Sequence, residues 1–278
     1  MNTSQFRVGC ELNYNLSGPS AFIFNVSVIN NSFQRIVAEE FSTEPQLQLE
    51  ESRSPIEEKR HHRFTAAEGP LCVRYSATIE LSLHIQPADN VPETPPGALP
   101  ADVVPYLYPS RYCESDKLVR LAQHEFGKLQ LGFSRVTAIC NWIHDNVEYL
   151  RGSTNPLTSA FDTATERAGV CRDFAHLGIA FCRALGIPAR FVTGYAYALE
   201  PPDFHAYFEA YLDGRWYIFD STRLAPQTGL IRIGTGRDAA DTSFATLFGP
   251  VKFLSMKVTM EPIGGQVPNY TTDAISTS

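Results

Sequence analysis

Residues 171–188 read Cys-Arg-Asp-Phe-Ala-His-Leu-Gly-Ile-Ala-Phe-Cys-Arg-Ala-Leu-Gly-Ile-Pro. Phe174, Leu177, Phe181 and Leu185 recur at i, i+3, i+7 and i+11, the period of a helix with one buried face. Gly186 supplies the residue after the last turn, and Pro188 cannot extend the helix. Three residues before Phe174 the apolar stripe lands on Cys171, which therefore points inward at the first turn. A helix N-terminus carries partial positive charge and free N–H groups. Both favour a thiolate over a thiol. The same N–H groups can hold an oxyanion. The bland alternative is a small packed residue, since free cysteine is commonly buried.

Working outward, Asp213-Gly214 is a two-residue turn signal between two alternating runs, 205–212 and 215–220. Such a turn pairs Leu212 with Arg215 and sets Tyr207 opposite Asp220. His205 lies two residues from Tyr207, so His205 and Asp220 share a face of the sheet. Diagonal neighbours of this kind are about 7–8 Å apart between backbones, within reach of an imidazole–carboxylate hydrogen bond. A bulge or a three-residue loop would put them on opposite faces. Cysteine as nucleophile, histidine as proton carrier and aspartate as its orienting partner form a working set: Cys171, His205 and Asp220.

The bulk numbers bound the class. The chain has 278 residues, 44% hydrophobic and 19% charged, enough for a real core. A net charge of -7 disfavours a nucleic-acid footprint. No apolar run approaches the roughly 20 residues of a membrane span. The start, Met-Asn-Thr-Ser-Gln-Phe-Arg, lacks the apolar segment of a signal peptide, so the expectation is a cytoplasmic protein. Six cysteines without an export signal or a Cys-x-x-Cys pair argue against a disulfide framework or structural zinc. No cofactor is expected.

The organisation reads as α+β. Residues 1–86 show period-two alternation, at 22–29, around Leu47 and Leu49, and at 79–86, which indicates a β-rich N-terminal domain. Seven of the 19 prolines fall between 87 and 109, so 87–110 is assigned as a linker. A core follows over 111–262. Ser115 and Ser134 are the candidate N-caps of two helices ahead of the one at Cys171. Strands are expected at 190–198, 205–212, 215–220 and roughly 251–260. The polar tail, 263–278, is expected to fray.

The stretch from Arg167 to Thr222 resembles the transglutaminase-like superfamily in its bacterial, cysteine-protease-like branch. The resemblance is carried by Arg167-Ala-Gly-Val-Cys-Arg-Asp-Phe-Ala-His176, by Arg183-Ala-Leu-Gly-Ile-Pro-Ala-Arg-Phe-Val-Thr-Gly-Tyr195, by His205 to Trp216, and by Asp220-Ser-Thr222. Weaker likeness extends to 109–116, to 236–241 and to the β-rich start. It implies a papain-like core with helices packed on an antiparallel sheet, and a thioester acyl-enzyme formed on amide carbonyls. Cys171 is then nucleophile, His205 base and Asp220 its partner. Two departures stand out: Tyr207 where the family often has tryptophan, and Ser221 where it often has proline.

Other residues have milder readings. Asp173 suits the helix start by its charge. Cys182 is expected in the core, and His176 on the helix surface or in packing. Trp142 is expected to pack, with a cleft-lining role as the alternative. Asp238 and Asp241 are read as turn residues or cleft residues. His61 and His62 follow Glu-Glu-Lys-Arg in a solvated loop, with no further metal ligand at useful spacing. The leading expectation is a cysteine-dependent amide hydrolase or peptidase acting on a peptide or protein substrate. Glutamine γ-glutamyl transfer to an amine is the rival, and a catalytically inactive protein-binding scaffold the alternative of another class. The N-terminal unit is assigned one of three roles: shaping the cleft, recruiting substrate, or pairing two copies as a homodimer.

Overall fold

Alternating inward residues build the N-terminal half. It runs through β1 (Thr3–Leu16), β2 (Ser20–Phe24), β3 (Gln34–Glu44), β4 (Glu50–Ser54), β5 (Lys59–Ala66), β6 (Gly69–Ser82) and β7 (His84–Gln86). The computed structural model describes residues 3–54, 59–264 and 267–278. In β6, Leu71, Val73, Tyr75, Ala77, Ile79 and Leu81 are all buried while their neighbours face out. Burying each such side chain is worth about 1.5–3 kcal/mol for the larger ones.

Four helices follow: α1 (Ser115–Phe126), α2 (Phe133–Asn146), α3 (Ala160–Glu166) and α4 (Cys171–Ala184). Between them lie the short strands β8 (Glu148–Tyr149) and β9 (Ala168–Gly169). The rest is β10 (Ala189–Ala196), β11 (Phe204–Leu212), β12 (Arg215–Phe219), β13 (Leu230–Gly236), β14 (Ala245–Phe248), β15 (Val251–Pro262) and β16 (Ala274–Ser276).

Two four-stranded sheets, ordered β15-β1-β6-β3 and β14-β2-β5-β4, share one apolar core. Tyr14 of one sheet meets Phe22 of the other at 5.8 Å between ring centroids. A third sheet, β12-β11-β10-β13, is antiparallel throughout. Helix α4 lies on it and, with α1 and α2, closes a second core. Gly178 makes that contact close: a Cβ there would sit 2.5 Å from the Phe208 ring. The α+β architecture and the β-rich start match the expectation.

Several local expectations are corrected. Glu114 caps α1, and Gly132, at φ 114°, opens α2, so neither Ser115 nor Ser134 is the N-cap. Leu47 and Leu49 lie outside the strands and are packed on the sandwich core. The strand at 251–262, placed in the core by its position, instead pairs with β1 of the sandwich. The tail does not fray at its end: β16 pairs with β7, and Ala274 and Ile275 are buried. His61 and His62 sit in β5, not in a solvated loop, and His62 is buried on Ser27 at 2.8 Å. Burial holds the His62 imidazole down at about 4. Glu57 and Glu58 ahead of them lie outside the described residues, as do Met1 and Asn2. Among the described residues no helix is long and apolar enough to cross a membrane.

Candidate active site

Cys171 is the first residue of α4 and is half-buried. The turn into the helix is held by Asp173, whose Oδ2 accepts the Val170 N–H at 3.0 Å. Arg172 pairs with the same carboxylate at 2.8 Å. Asp173 thus has the helix-start role assigned to it, with its charge already matched. Gly169 allows this closeness, since a Cβ there would lie 2.8 Å from the Asp173 Cβ.

The hairpin forms in the expected register. Phe208 pairs with Phe219 and Leu212 with Arg215. Asp213 and Gly214 both have positive φ, 47° and 74°, as a tight twisted hairpin turn requires. His205 Nε2 therefore donates to Asp220 Oδ2 at 2.7 Å, and both side chains are buried. The other carboxylate oxygen accepts from the Thr222 N–H at 2.9 Å and its hydroxyl at 2.7 Å. Ser221, the departure from proline, donates its hydroxyl to the Phe174 carbonyl of α4 at 3.4 Å and ties this corner to the helix.

His205 Nδ1 is buried without a hydrogen-bond partner, and Cys171 lies near enough to the ring to favour its charged form. The structure thus brings Cys171, His205 and Asp220 together. Burial opposes a charge on His205, but the Asp220 carboxylate and Cys171 outweigh it and raise the imidazole to about 10.

Tyr149 was not singled out by the sequence reading. Strand β8 pairs in parallel with β9 and sets Tyr149 opposite Gly169, with Leu150 N–H donating to the Gly169 carbonyl at 2.9 Å. The ring packs on Phe174 at 5.7 Å, and the phenol lies beside Cys171. Burial, then the charge on Cys171, pushes the phenol up to about 12. A two-residue bridge leaves no periodic signal, so only the spatial neighbour of Cys171 identifies it. Burial also raises Asp203, two residues before His205, against the opposing charge of Arg151.

The remaining residues fall into supporting places. His176 is fully buried between Tyr112 and Phe191, and its Nε2 accepts the Ala239 N–H at 3.1 Å. Asp238 is buried and accepts from the N–H groups of Tyr112 and Ala240, while Asp241 pairs with Arg237. Both hold the turn, as the first of their two readings has it. Trp142 packs edge-on against Phe126 and Phe181 with the Arg167 guanidinium over its ring, and Cys182 is buried in the same core. All six cysteines are free. A cavity of about 280 Å³ lies behind Asp220, between α2 and residues 270–273.

The model of the transglutaminase-like superfamily matches residues 120–221, and that of the bacterial transglutaminase N-terminal domain matches residues 4–96. A solved structure from Cytophaga hutchinsonii, described as a "putative cysteine protease", is 44% identical. The alignment covers 99% of this chain and 98% of that one, with a TM-score of 0.95. The chain belongs to the transglutaminase-like superfamily. Among curated relatives of this transglutaminase-like protein, an uncharacterized protein of Mycobacterium leprae is 30% identical over 146 residues, 49% of this chain and 52% of that one. An uncharacterized protein of Mycobacterium tuberculosis is 35% identical over 115 residues, 36% of each chain. The chain spans about half the length, or less, of the curated relatives it matches.

Proposed function

We propose that the protein is a cysteine-dependent amide hydrolase of peptide or protein substrates, with Cys171, His205 and Asp220 as a catalytic triad. The observation that carries this reading is the 2.7 Å His205–Asp220 hydrogen bond, buried beside a thiol at a helix N-terminus. The charged imidazole keeps Cys171 as thiolate. The thiolate attacks the amide carbon, and the oxyanion is held by the Cys171 N–H and the Tyr149 hydroxyl. The C–N bond breaks as His205 passes its proton to the leaving nitrogen, giving a thioester. Water then loses a proton to His205 and attacks the thioester, and the C–S bond breaks to release the acid and leave the thiolate beside the recharged imidazole. Asp220 holds the ring orientation throughout.

The test uses a glutamine peptide with and without a primary amine, read by product mass. Hydrolysis releases the acid in both cases. An amide product in the presence of amine would instead assign γ-glutamyl transfer. No product from either, together with Cys171 alkylating no faster than the other cysteines, would leave a protein-binding scaffold.

A further inference from the structure

Every hydrogen bond printed by the geometry at Asp220 is donated to it. Its Oδ2 accepts from His205 at 2.7 Å, and its Oδ1 accepts the Thr222 N–H at 2.9 Å and the Thr222 hydroxyl at 2.7 Å. That hydroxyl itself accepts the Leu224 N–H at 3.2 Å, so its proton is turned to the carboxylate. Asp220, Thr222 and His205 are all buried. An ionised carboxylate, which only accepts, satisfies this arrangement completely. The run from Leu224 through Thr222 and Asp220 to His205 therefore has one direction and ends on an Nε2–H. Nδ1 is left as the nitrogen that can exchange a proton with Cys171.

Asp220 has a rival place to turn. It stands one residue past the end of β12, so strand pairing does not fix it. It also lines the cavity of about 280 Å³, and Asn141, Arg223 and Gln227 line the same space with side chains that carry N–H donors. A carboxylate freed from the Thr222 hydroxyl can swing to those donors and away from the imidazole. The loop that carries Thr222 is fixed independently of Asp220. Ser221 donates to the Phe174 carbonyl of α4 at 3.4 Å, and Arg223 donates to Asn141 Oδ1 of α2 at 2.6 Å. The Arg223 carbonyl accepts the Tyr270 hydroxyl at 3.2 Å. Arg223 sits at φ 56°, a left-handed conformation that persists in a residue with a side chain only when its surroundings hold it.

We infer that Thr222 is a positioning residue of the site: its hydroxyl keeps Asp220 turned to His205 and off the cavity behind it, and so fixes Nε2 as the protonated nitrogen. This rests on the triad reading above. Thr222 acts through Asp220, not on the thiol. Without its hydroxyl the imidazolium loses its steady partner, and the thiolate that the imidazolium sustains is lost with it.

The experiment compares Thr222→Val, which keeps the backbone N–H and the branched shape, with Thr222→Ser, which keeps the hydroxyl. Two quantities are read. One is the rate of Cys171 alkylation by iodoacetamide below neutral pH, followed by mass of the modified peptide. The other is the downfield proton resonance of the His205–Asp220 hydrogen bond. In Thr222→Val the rate falls about tenfold or more, as loss of one hydrogen bond to a charged group implies, and the resonance broadens or vanishes. In Thr222→Ser both match the unmutated protein. Valine and serine variants slowed alike, or a slowed valine variant whose resonance is unmoved, overturn the inference. So does a valine variant that reacts at the unmutated rate. If Thr222→Val does not fold, Thr222→Ala is read against Thr222→Ser in its place, and equal rates overturn the inference. Cys171 alkylation that ignores His205→Ala would defeat the triad itself, a result separate from these.

Discussion

His205 Nε2 and Asp220 Oδ2 meet at 2.7 Å, although Asp220 stands just past the last residue of its strand. The turn at Asp213-Gly214 sets the register, and Thr222 holds the carboxylate that projects beyond it. Asp220→Asn keeps the shape but removes the charge opposite the imidazole. Turnover should fall by about 10³–10⁴-fold. Asp220→Ala leaves a buried imidazole without its partner and should also cost about 3 kcal/mol of stability. Steady-state rates and urea unfolding check the two separately.

The raised imidazole makes a pH prediction with a definite sign. His205 lies at about 10 when folded, against an ordinary 6.5. Its contribution to stability is therefore complete below about pH 6.5 and is lost as pH rises through 10. The alkaline fall in melting temperature should be shallower in His205→Gln. A fall of equal steepness in both would contradict the charged ring.

His62 carries the opposite sign. Burial holds it at about 4, so the folded protein keeps it neutral where the unfolded chain takes up a proton. Its contribution is complete above about pH 6.5 and is lost as pH falls towards 4. Denaturant midpoints at pH 7 and pH 4.5 should lie closer together in His62→Gln than in the unmutated protein.

Tyr149→Phe removes one hydroxyl beside Cys171 and leaves the ring packed on Phe174. Turnover should drop by about 10²-fold with the melting temperature little changed, as loss of one oxyanion donor does elsewhere. A loss confined to KM would mean the hydroxyl serves binding instead.

Gly178→Ala places a methyl group 2.5 Å from a fully buried Phe208 ring, itself stacked on Phe219. Helix and sheet must separate, at a cost of about 1–3 kcal/mol. Since the same helix carries Cys171, activity should fall with stability. Equal stability of the two proteins would show that the ring yields.

The hairpin of His205 and Asp220 was legible because its determinants are local: an Asp-Gly turn and two alternating runs fix which residues share a face. Helix α4 was legible for the same reason, down to the glycine after its last turn. The places that escaped reading depend on distant partners. Arg60-His-His-Arg63 looks solvated, yet Arg60 turns inward because Glu39 and Glu51 neutralise it, and His62 follows in step. Val251–Pro262 alternates like any strand, and nothing within it says that its partner is β1. Tyr149 rests on a two-residue parallel bridge, too short for any period.

The pairing of β1 with β15 also has a consequence for synthesis. A growing chain presents Thr3–Leu16 long before Val251–Pro262. Until then one edge of β1 has backbone groups facing water and an open flank for stray strands. The N-terminal sandwich cannot be finished while the half that follows it is unmade, so the two halves mature together rather than in order. A shortened version ending before Val251 would carry Cys171, His205 and Asp220 and still leave its first sheet one strand short.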